Sequence, residues 1–185
     1  MRRLVDADRV AAFLHALGRA TEAEGRVYLT GGATAVLLGW RATTIDVDIK
    51  IVPEQDSLLR ALPELKERLQ INVELAAPDQ FIPELPGWQD RSPFVAQEGR
   101  LWCHHYDLYA QALAKIERGH AQDVLDVEAM LARGLVEPRK LSTLFDAIEP
   151  LLYRYPALDP ATFRRALEDL VGRPETPGRR APDGR

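Results

Sequence analysis

The sequence predicts an α+β protein in which a small mixed sheet with helices packed on it precedes a helical C-terminal part. Two observations lead to this class. Short β-branched runs alternate with helical apolar patterns over roughly the first hundred residues, whereas every apolar pattern after residue 106 has helical spacing. We therefore expect a core over residues 1–106 and a helical part over 107–171 packed on it. Residues 172–185 contain no Leu, Ile, Val or Phe, so they are predicted to form a disordered tail.

Composition limits the classes of protein to which this chain can belong. Of its 185 residues, 46% are hydrophobic and 28% are charged, with a net charge of −4, which is typical of a soluble globular protein and argues against one that coats nucleic-acid duplexes. The apolar run over 33–40 is too short to cross a bilayer, and no signal peptide is expected. Cys103 is the single cysteine, so no disulfide framework can form within the chain. We expect a cytoplasmic protein without membrane contacts.

The predicted core begins with a helix over 6–24, where apolar residues recur at helical spacing. A strand follows over 26–30, and the pair Gly31-Gly32 ends it before a short helix over 33–40. The segment 44–52 alternates between apolar and charged side chains, which predicts a half-buried strand. Its two faces hold, respectively, Ile45, Val47, Ile49 and Ile51, and Asp46, Asp48 and Lys50.

Proline and glycine punctuate the remaining predicted elements. A helix over 54–69, kinked or split by Pro63, leads to a strand over 71–75 and a long irregular loop over 76–93. Two short strands on either side of Glu98-Gly99 are predicted to pair as a hairpin. The hairpin strands span 94–97 and 101–104, and the helices of the C-terminal part span 107–118, 122–132, 138–152 and 160–170.

Acidic side chains on two of the predicted strands indicate metal-dependent chemistry. Asp46 and Asp48 leave the same face of one strand with β-carbons about 6–7 Å apart, and a cation such as Mg²⁺ relieves the repulsion between such carboxylates. Glu74 repeats the pattern on the next strand and, if the two strands pair, supplies the third ligand of a two-metal phosphoryl-transfer site. Upstream, Gly31 and Gly32 open a helix, where free backbone amides attract a phosphate group.

These residues resemble a known family. The order Leu29-Thr30-Gly31-Gly32, thirteen residues, then Asp46-Val47-Asp48 is similar to the signature of the polymerase-beta-type nucleotidyltransferase superfamily. Joined to Glu74, Lys115-x-x-Arg118 and Asp123-x-x-Asp126, it resembles the AbiEii-like toxin branch and related small bacterial nucleotidyltransferase-like proteins. The resemblance spans residues 26–130. Two positions depart from the family pattern, since a serine is usual in place of Gly32 and a basic residue in place of Gln122.

The resemblance implies a role for each matching residue. Asp46 and Asp48 would bind Mg²⁺, with two ions expected and Mn²⁺ as an alternative, and Glu74 would complete the metal site or help to activate the attacking hydroxyl. Lys115 and Arg118 would counter the charge of the triphosphate, although both are also compatible with a solvated helix stripe. The residues with implied nucleotide-binding roles are Gly31, Gly32, Arg41, Thr44, Arg118, Asp123 and Asp126.

The implied activity is the transfer of a nucleoside monophosphate from an NTP to a hydroxyl group. The resemblance suggests an RNA or tRNA end or a protein side chain as acceptor, and toxin-like members of the family are restrained by a cognate antitoxin protein. Two other functions stay open at this stage. One is a catalytically inactive binding module of the same fold, serving as antitoxin or scaffold, and the other is a glycosyltransferase that holds a metal on a nucleotide sugar.

Some residues also have a structural interpretation. Arg41 is compatible with a contact to phosphate and equally with a salt bridge to an acidic neighbour. Phe81 and Trp88 either stack on a base or anchor the proline-rich loop to the sheet, and the anchoring is favoured. The run Cys103-His104-His105 suggests zinc, but adjacent histidines on a strand point to opposite faces and do not easily share one ion.

Overall fold

A computed structural model describes residues 4–172, so the tail predicted from residue 172 onward lies outside the described residues apart from Gly172. The described part contains one five-stranded sheet and seven α-helices. The strands are β1 (Gly25–Thr30), β2 (Asp46–Val52), β3 (Asn72–Leu75), β4 (Phe94–Glu98) and β5 (Leu101–His105). The helices are α1 (Ala7–Arg19), α2 (Gly31–Leu37), α3 (Asp56–Leu69), α4 (Leu108–Arg118), α5 (Ala121–Ala132), α6 (Pro138–Ile148) and α7 (Pro160–Val171). Within residues 4–172, none of the helices combines the length and the apolar character needed to span a membrane.

The sheet is mixed and has the strand order β3-β2-β1-β5-β4. Strand β1 runs antiparallel to β2 and parallel to β5, while β2 and β3 are parallel and β4 and β5 form an antiparallel hairpin. This arrangement confirms the predicted α+β class with a small mixed sheet. It also makes β2 and β3 neighbours, which is the pairing that the predicted acidic site requires.

Helices α1 and α3 cover one face of the sheet. The apolar side chains of the alternating strands point to this face, and Val27, Leu29, Val47 and Ile49 are at most 1% exposed there. Burial of each such side chain contributes about 1.5–3 kcal/mol. Asp6 begins α1, because its carboxylate accepts a hydrogen bond from the Arg9 N–H at 3.0 Å.

The opposite face carries an aromatic cluster below the proline-rich loop. Trp88 of the loop stacks on Tyr106 with ring centroids 4.2 Å apart, and Tyr28 of β1 meets Trp88 edge-on at 4.7 Å. Ile82 and Leu85 of the same loop are buried in this cluster, which continues into the C-terminal helices. The segment is therefore irregular, as predicted, but fixed to the sheet, and Trp88 anchors it.

The structure corrects several of the predicted details near element ends. Ile45 lies outside β2 and is 69% exposed, because Thr44 pairs with Val5 in an isolated bridge and the strand begins only at Asp46. Pro63 neither splits nor ends α3, since it lies on the exposed side of the helix, where water can solvate the carbonyl group that lacks a partner. The helix predicted over 138–152 ends at Ile148 and continues as a 3₁₀ turn, because Pro150 has no N–H to extend the α-helix.

The first helix also ends earlier than predicted. It stops at Arg19, and Thr21 closes the end by donating its hydroxyl to the Leu17 carbonyl at 3.1 Å. The residues up to Glu24 instead form a turn into β1, which begins at Gly25.

We predict that Trp88→Ala lowers the free energy of unfolding by about 3–5 kcal/mol, because it leaves a large cavity between Tyr28 and Tyr106. Urea denaturation followed by circular dichroism measures the change. Trp102→Ala is the matched control, since Trp102 is 43% exposed on β5 and its loss should cost about 1 kcal/mol or less. A loss for Trp88→Ala no larger than that of the control would contradict the anchoring role.

Candidate active site

Three carboxylates meet where β2 lies beside β3. The parallel register sets Asp48 opposite Glu74 and Asp46 opposite Asn72. Asp46 and Asp48 share one strand face, as the alternation predicts, and that face is half-buried rather than fully solvated. All three carboxylates line one cavity of about 240 Å³.

Asn72 links two of these carboxylates. Its side-chain amide donates to Asp46 Oδ1 at 2.6 Å and to Glu74 Oε1 at 2.9 Å. The amide therefore holds one oxygen of each acid and leaves the second oxygen of each without this contact. Asn72 is not among the site residues predicted from the sequence, although its position two residues before Glu74 places both side chains on the same strand face.

The clustering of acids changes the ionisation of Asp48. Burial, followed by the negative charges of Asp46 and Glu74, raises its pKa to about 6, although Arg118 and Lys115 act in the opposite direction. Ionised Asp48 is thus destabilised in the protein without a cation. A divalent cation would reverse this effect, so the donor set fits a metal such as Mg²⁺ chemically. Within residues 4–172, however, no three His, Cys, Asp or Glu side chains surround one point as a ready-made metal site.

The glycine turn makes room for this cluster. Gly31 has φ of +59°, and a β-carbon there would lie 2.7 Å from Asp48 Oδ2. A β-carbon on Gly32 would lie 1.9 Å from Thr44 Oγ1, so a side chain at this position would require Thr44 to move. Both glycines therefore permit the close approach of the chain around β2.

Gln111 of α4 already binds the glycine turn. The Gly31 N–H donates to Gln111 Oε1 at 2.9 Å, and the amide nitrogen of Gln111 donates to the Tyr106 carbonyl at 2.8 Å and to Thr34 Oγ1 at 3.2 Å. Gln111 is buried and lines the cavity. Sequence reasoning missed it, although its position four residues before Lys115 places both on one helix face. Since α2 has seven residues and the Gly31 N–H is bonded to Gln111, this turn is first of all a packing device.

The basic residues of α4 are held by the acids of α5. Lys115 is buried, and its ammonium group lies 2.6 Å from Asp126 Oδ2 and 3.2 Å from Asp123 Oδ1. Arg118 donates two hydrogen bonds to Asp123, at 2.7 and 2.6 Å. Arg41 forms a bidentate ion pair with Asp126. This set of five residues is called the ionic cluster below.

Hydrogen bonding keeps both acids of the ionic cluster ionised. Burial alone would raise the pKa of Asp126, but the hydrogen bonds from Arg41 and Lys115 outweigh it and lower that pKa. Burial opposes ionisation of Asp123 in the same way, and the bonds from Arg118 and Lys115 lower its pKa. The cluster is thus a compensated set of three cations and two anions.

The structure brings together some of the predicted nucleotide-binding residues and not others. Lys115, Arg118 and Gly31 line the cavity with the acids. Arg41 takes the salt-bridge interpretation, and Thr44 donates its hydroxyl to the Asp46 carbonyl at 3.1 Å. Five of the predicted nucleotide-binding residues are outside the cavity lining as described, namely Gly32, Arg41, Thr44, Asp123 and Asp126.

The run suggested for zinc is divided between the two faces of the sheet. Cys103 is buried below α1, where burial raises the pKa of its thiol to about 12. His105 Nδ1 lies 3.1 Å from Thr34 Oγ1, and burial lowers the pKa of this imidazole to about 4. His104 lies on the other face, with its ring 5.6 Å from that of Tyr28.

The fold and the cavity define an α+β protein with a carboxylate cluster beside a glycine turn and cations supplied by a helical C-terminal part. The chain belongs to the family described as "Nucleotidyltransferase of unknown function (DUF6036)", whose sequence model matches residues 3–171. No curated protein and no solved structure matches the chain. The resemblance to nucleotidyltransferases is thereby confirmed at the level of the family, whereas the AbiEii-like branch stays a prediction.

We predict that Asp48→Asn stabilises the metal-free protein by about 1–2 kcal/mol at neutral pH. Asp48 has a pKa of about 6 in the folded chain, whereas in the unfolded chain it has its ordinary pKa of 3.8. The wild-type protein therefore loses stability relative to the variant as the pH rises from about 3.8 to about 6. The stability difference reaches its maximum above this range and disappears below it.

Chemical denaturation in the presence of a chelator, at several pH values between about 4 and 7.5, measures the difference. Asp90→Asn is the control, because Asp90 is an exposed loop residue outside the cavity lining. A pH-independent difference, or a destabilised Asp48→Asn variant, would contradict the raised pKa of Asp48 in the folded protein.

We also predict that Asp126→Ala lowers the free energy of unfolding by about 3–5 kcal/mol, because it leaves the charges of Lys115 and Arg41 without their common partner. The control is Glu149→Ala, which removes a partly exposed ion pair with Arg164 and should cost about 1 kcal/mol or less. Urea denaturation of both variants compares them, and equal costs would show that the ionic cluster contributes no more than a surface pair.

Proposed function

We propose that the protein is a Mg²⁺-dependent nucleotidyltransferase that transfers a nucleoside monophosphate from an NTP to an acceptor hydroxyl. The observation that carries this proposal is the register of β2 and β3, which sets Asp48 opposite Glu74 with Asp46 on the same strand face. Three carboxylates on one cavity wall are the kind of ligand set that phosphoryl-transfer enzymes use. Lys115 and Arg118 line the same cavity and supply positive charge for a polyphosphate.

In the proposed reaction the acceptor oxygen attacks the α-phosphorus of the NTP. A new bond forms between these atoms, the bond from the α-phosphorus to the bridging oxygen breaks, and pyrophosphate leaves with its electron pair. Asp46, Asp48 and Glu74 would hold the divalent ions, which supply Lewis-acid activation of the phosphate and of the hydroxyl. Glu74 is exposed, so it can accept the hydroxyl proton as a general base. If Glu74 instead binds a metal ion, the proton passes to solvent.

The charge balance of the cavity supports a requirement for metal. Its lining contains two cations, on Lys115 and Arg118, and four carboxylates. Three of the carboxylates belong to Asp46, Asp48 and Glu74, which form the acidic cluster, and the fourth belongs to Glu117. Both cations are already paired with acids of the ionic cluster. A triphosphate would therefore enter a cavity of net negative charge, and divalent cations offset this repulsion.

The acceptor and the biological setting are proposed from the resemblance to AbiEii-like toxins. The acceptor class is an RNA or tRNA end or a hydroxyl-bearing protein side chain. The associated proposal is that the protein is one component of a toxin–antitoxin pair and binds a cognate antitoxin.

A transfer assay tests the proposal directly. Purified protein is incubated with each α-labelled NTP, Mg²⁺ and either total tRNA or a cell lysate as acceptor, and the label in macromolecules is counted. We expect transfer that a chelator abolishes and that Asp48→Asn reduces by at least about a hundredfold. Asp90→Asn serves again as the control and should transfer label at the wild-type rate.

A catalytically inactive binding module is the second candidate function. The observation that favours it is the Asn72 amide, which holds Asp46 and Glu74 together without a metal. Thermal unfolding in NTP and Mg²⁺ separates the two functions. A rise in melting temperature with no label transfer would support the binding module, and no rise at millimolar NTP and Mg²⁺ would contradict both.

A further inference from the structure

One wall of the cavity differs in chemistry from the rest of its lining. Ala76, Ala77, Pro78 and Phe81 come from the loop after β3, and none of their side chains has a polar atom. The other lining residues include the acidic cluster and the cations of α4. The four loop residues are called the apolar wall below.

Three polar contacts fix the position of the loop that carries the apolar wall. Asp79 forms an ion pair with Lys50 of β2, and its carbonyl accepts a hydrogen bond from the Tyr155 hydroxyl at 3.0 Å. The Gln80 amide donates to the Leu75 carbonyl at 3.3 Å. The apolar wall is therefore a preformed surface.

Phe81 differs from the other large apolar residues of this loop in its exposure to solvent. Ile82, Leu85 and Trp88 are at most 4% exposed and account for the anchoring of the loop, whereas Phe81 is 49% exposed. Folding of the core thus leaves an aromatic ring uncovered at a cavity that also contains four carboxylates and two cations. A rigid, uncovered ring of this kind suits a planar ligand that stacks on it.

The size of the cavity indicates which part of an NTP would reach Phe81. Its volume of about 240 Å³ is below the range of roughly 300–1,000 Å³ typical of pockets that enclose a whole organic ligand. The charged part suits the metals and the triphosphate, which are compact and anionic. The base would then lie at the open mouth, where Phe81 is half-exposed.

We infer that the apolar wall, with Phe81 as its stacking residue, binds the nucleobase of the NTP and accepts purines and pyrimidines alike. This inference rests on the proposed function. Stacking tolerates any base because every base has an aromatic face, whereas discrimination requires hydrogen-bonding groups that these side chains lack. The substrate class of the site is consequently any nucleoside triphosphate, irrespective of its base.

Calorimetric titration with two kinds of probe tests the inference. The four NTPs carry a base, whereas inorganic tripolyphosphate has the phosphates alone, and each is titrated in Mg²⁺ against the full chain. We expect the four NTPs to bind within about tenfold of one another. We expect Phe81→Ala to weaken each NTP by about 5- to 100-fold and to leave tripolyphosphate unchanged.

Two further variants control for folding and for ring chemistry. Phe94→Ala removes an aromatic ring of β4 that is 57% exposed and does not line the cavity, so it should leave all affinities unchanged. Phe81→Trp restores an aromatic face and should recover NTP binding. Circular dichroism of each variant checks that the fold is retained.

The possible results separate the inference from the proposed function. Binding of neither probe to the wild-type protein would overturn both. Binding of both probes with no effect of Phe81→Ala, or with equal weakening of NTP and tripolyphosphate, would overturn the inference alone. A preference above about a hundredfold for one base would likewise overturn the claim that the wall accepts every base.

Discussion

The repulsion among the carboxylates of Asp46, Asp48 and Glu74 is the constraint around which the site is organised. Asp46 lies on the same strand face as Asp48, and Glu74 lies opposite Asp48 on the adjacent strand, where like charges are unfavourable. Several neighbouring residues accommodate these carboxylates. Gly31 leaves space for the Asp48 carboxylate, and the Asn72 amide donates to the other two acids. In the absence of a cation, burial and the neighbouring charges make the ionised form of Asp48 unfavourable.

The ionic cluster has a different relation to the same cavity. Lys115 and Arg118 belong to α4, but acids of α5 fix both of them, so α5 determines where the positive charge lies without lining the cavity itself. Arg41, from the segment before β2, joins Asp126 and connects this helical pair to the acidic strand. The helical part is therefore integral to the site, since α5 supplies both acidic partners of the buried Lys115.

Much of this arrangement could be predicted from the sequence because it depends on local patterns. The alternation of β2 identified Asp46 and Asp48 as neighbours on one face, and the glycine pair marked the turn from β1 to α2. Contacts that depend on tertiary pairing could not be predicted in the same way. The bridge between Val5 and Thr44, which shortens β2 and exposes Ile45, joins segments about forty residues apart.

The hydrogen-bond partners of buried polar side chains are a second group of features that the sequence does not predict. Gln111 and Asn72 have ordinary positions in their elements, and only the packing of α4 on the glycine turn and of β3 on β2 gives them partners. Likewise, Lys115 matched a pattern of solvated helix charge, yet it is buried because two acids of α5 compensate it. Charge and periodicity identify candidate residues, whereas the partners that decide their ionisation belong to other elements.

Different elements of the chain supply the charged and the apolar residues that line the cavity. The sheet and α4 supply the charged groups, and their positions are fixed by strand register and by the ionic cluster. The loop after β3 supplies the apolar wall, and Trp88 with the pair Lys50 and Asp79 fixes it from outside the cavity. Because the anchors of the loop do not depend on Phe81, the identity of that residue can change without disturbing the acids. Under the proposed function, a substitution at Phe81 would therefore change the binding of the base and leave the acids, whose positions follow from strand register, in place.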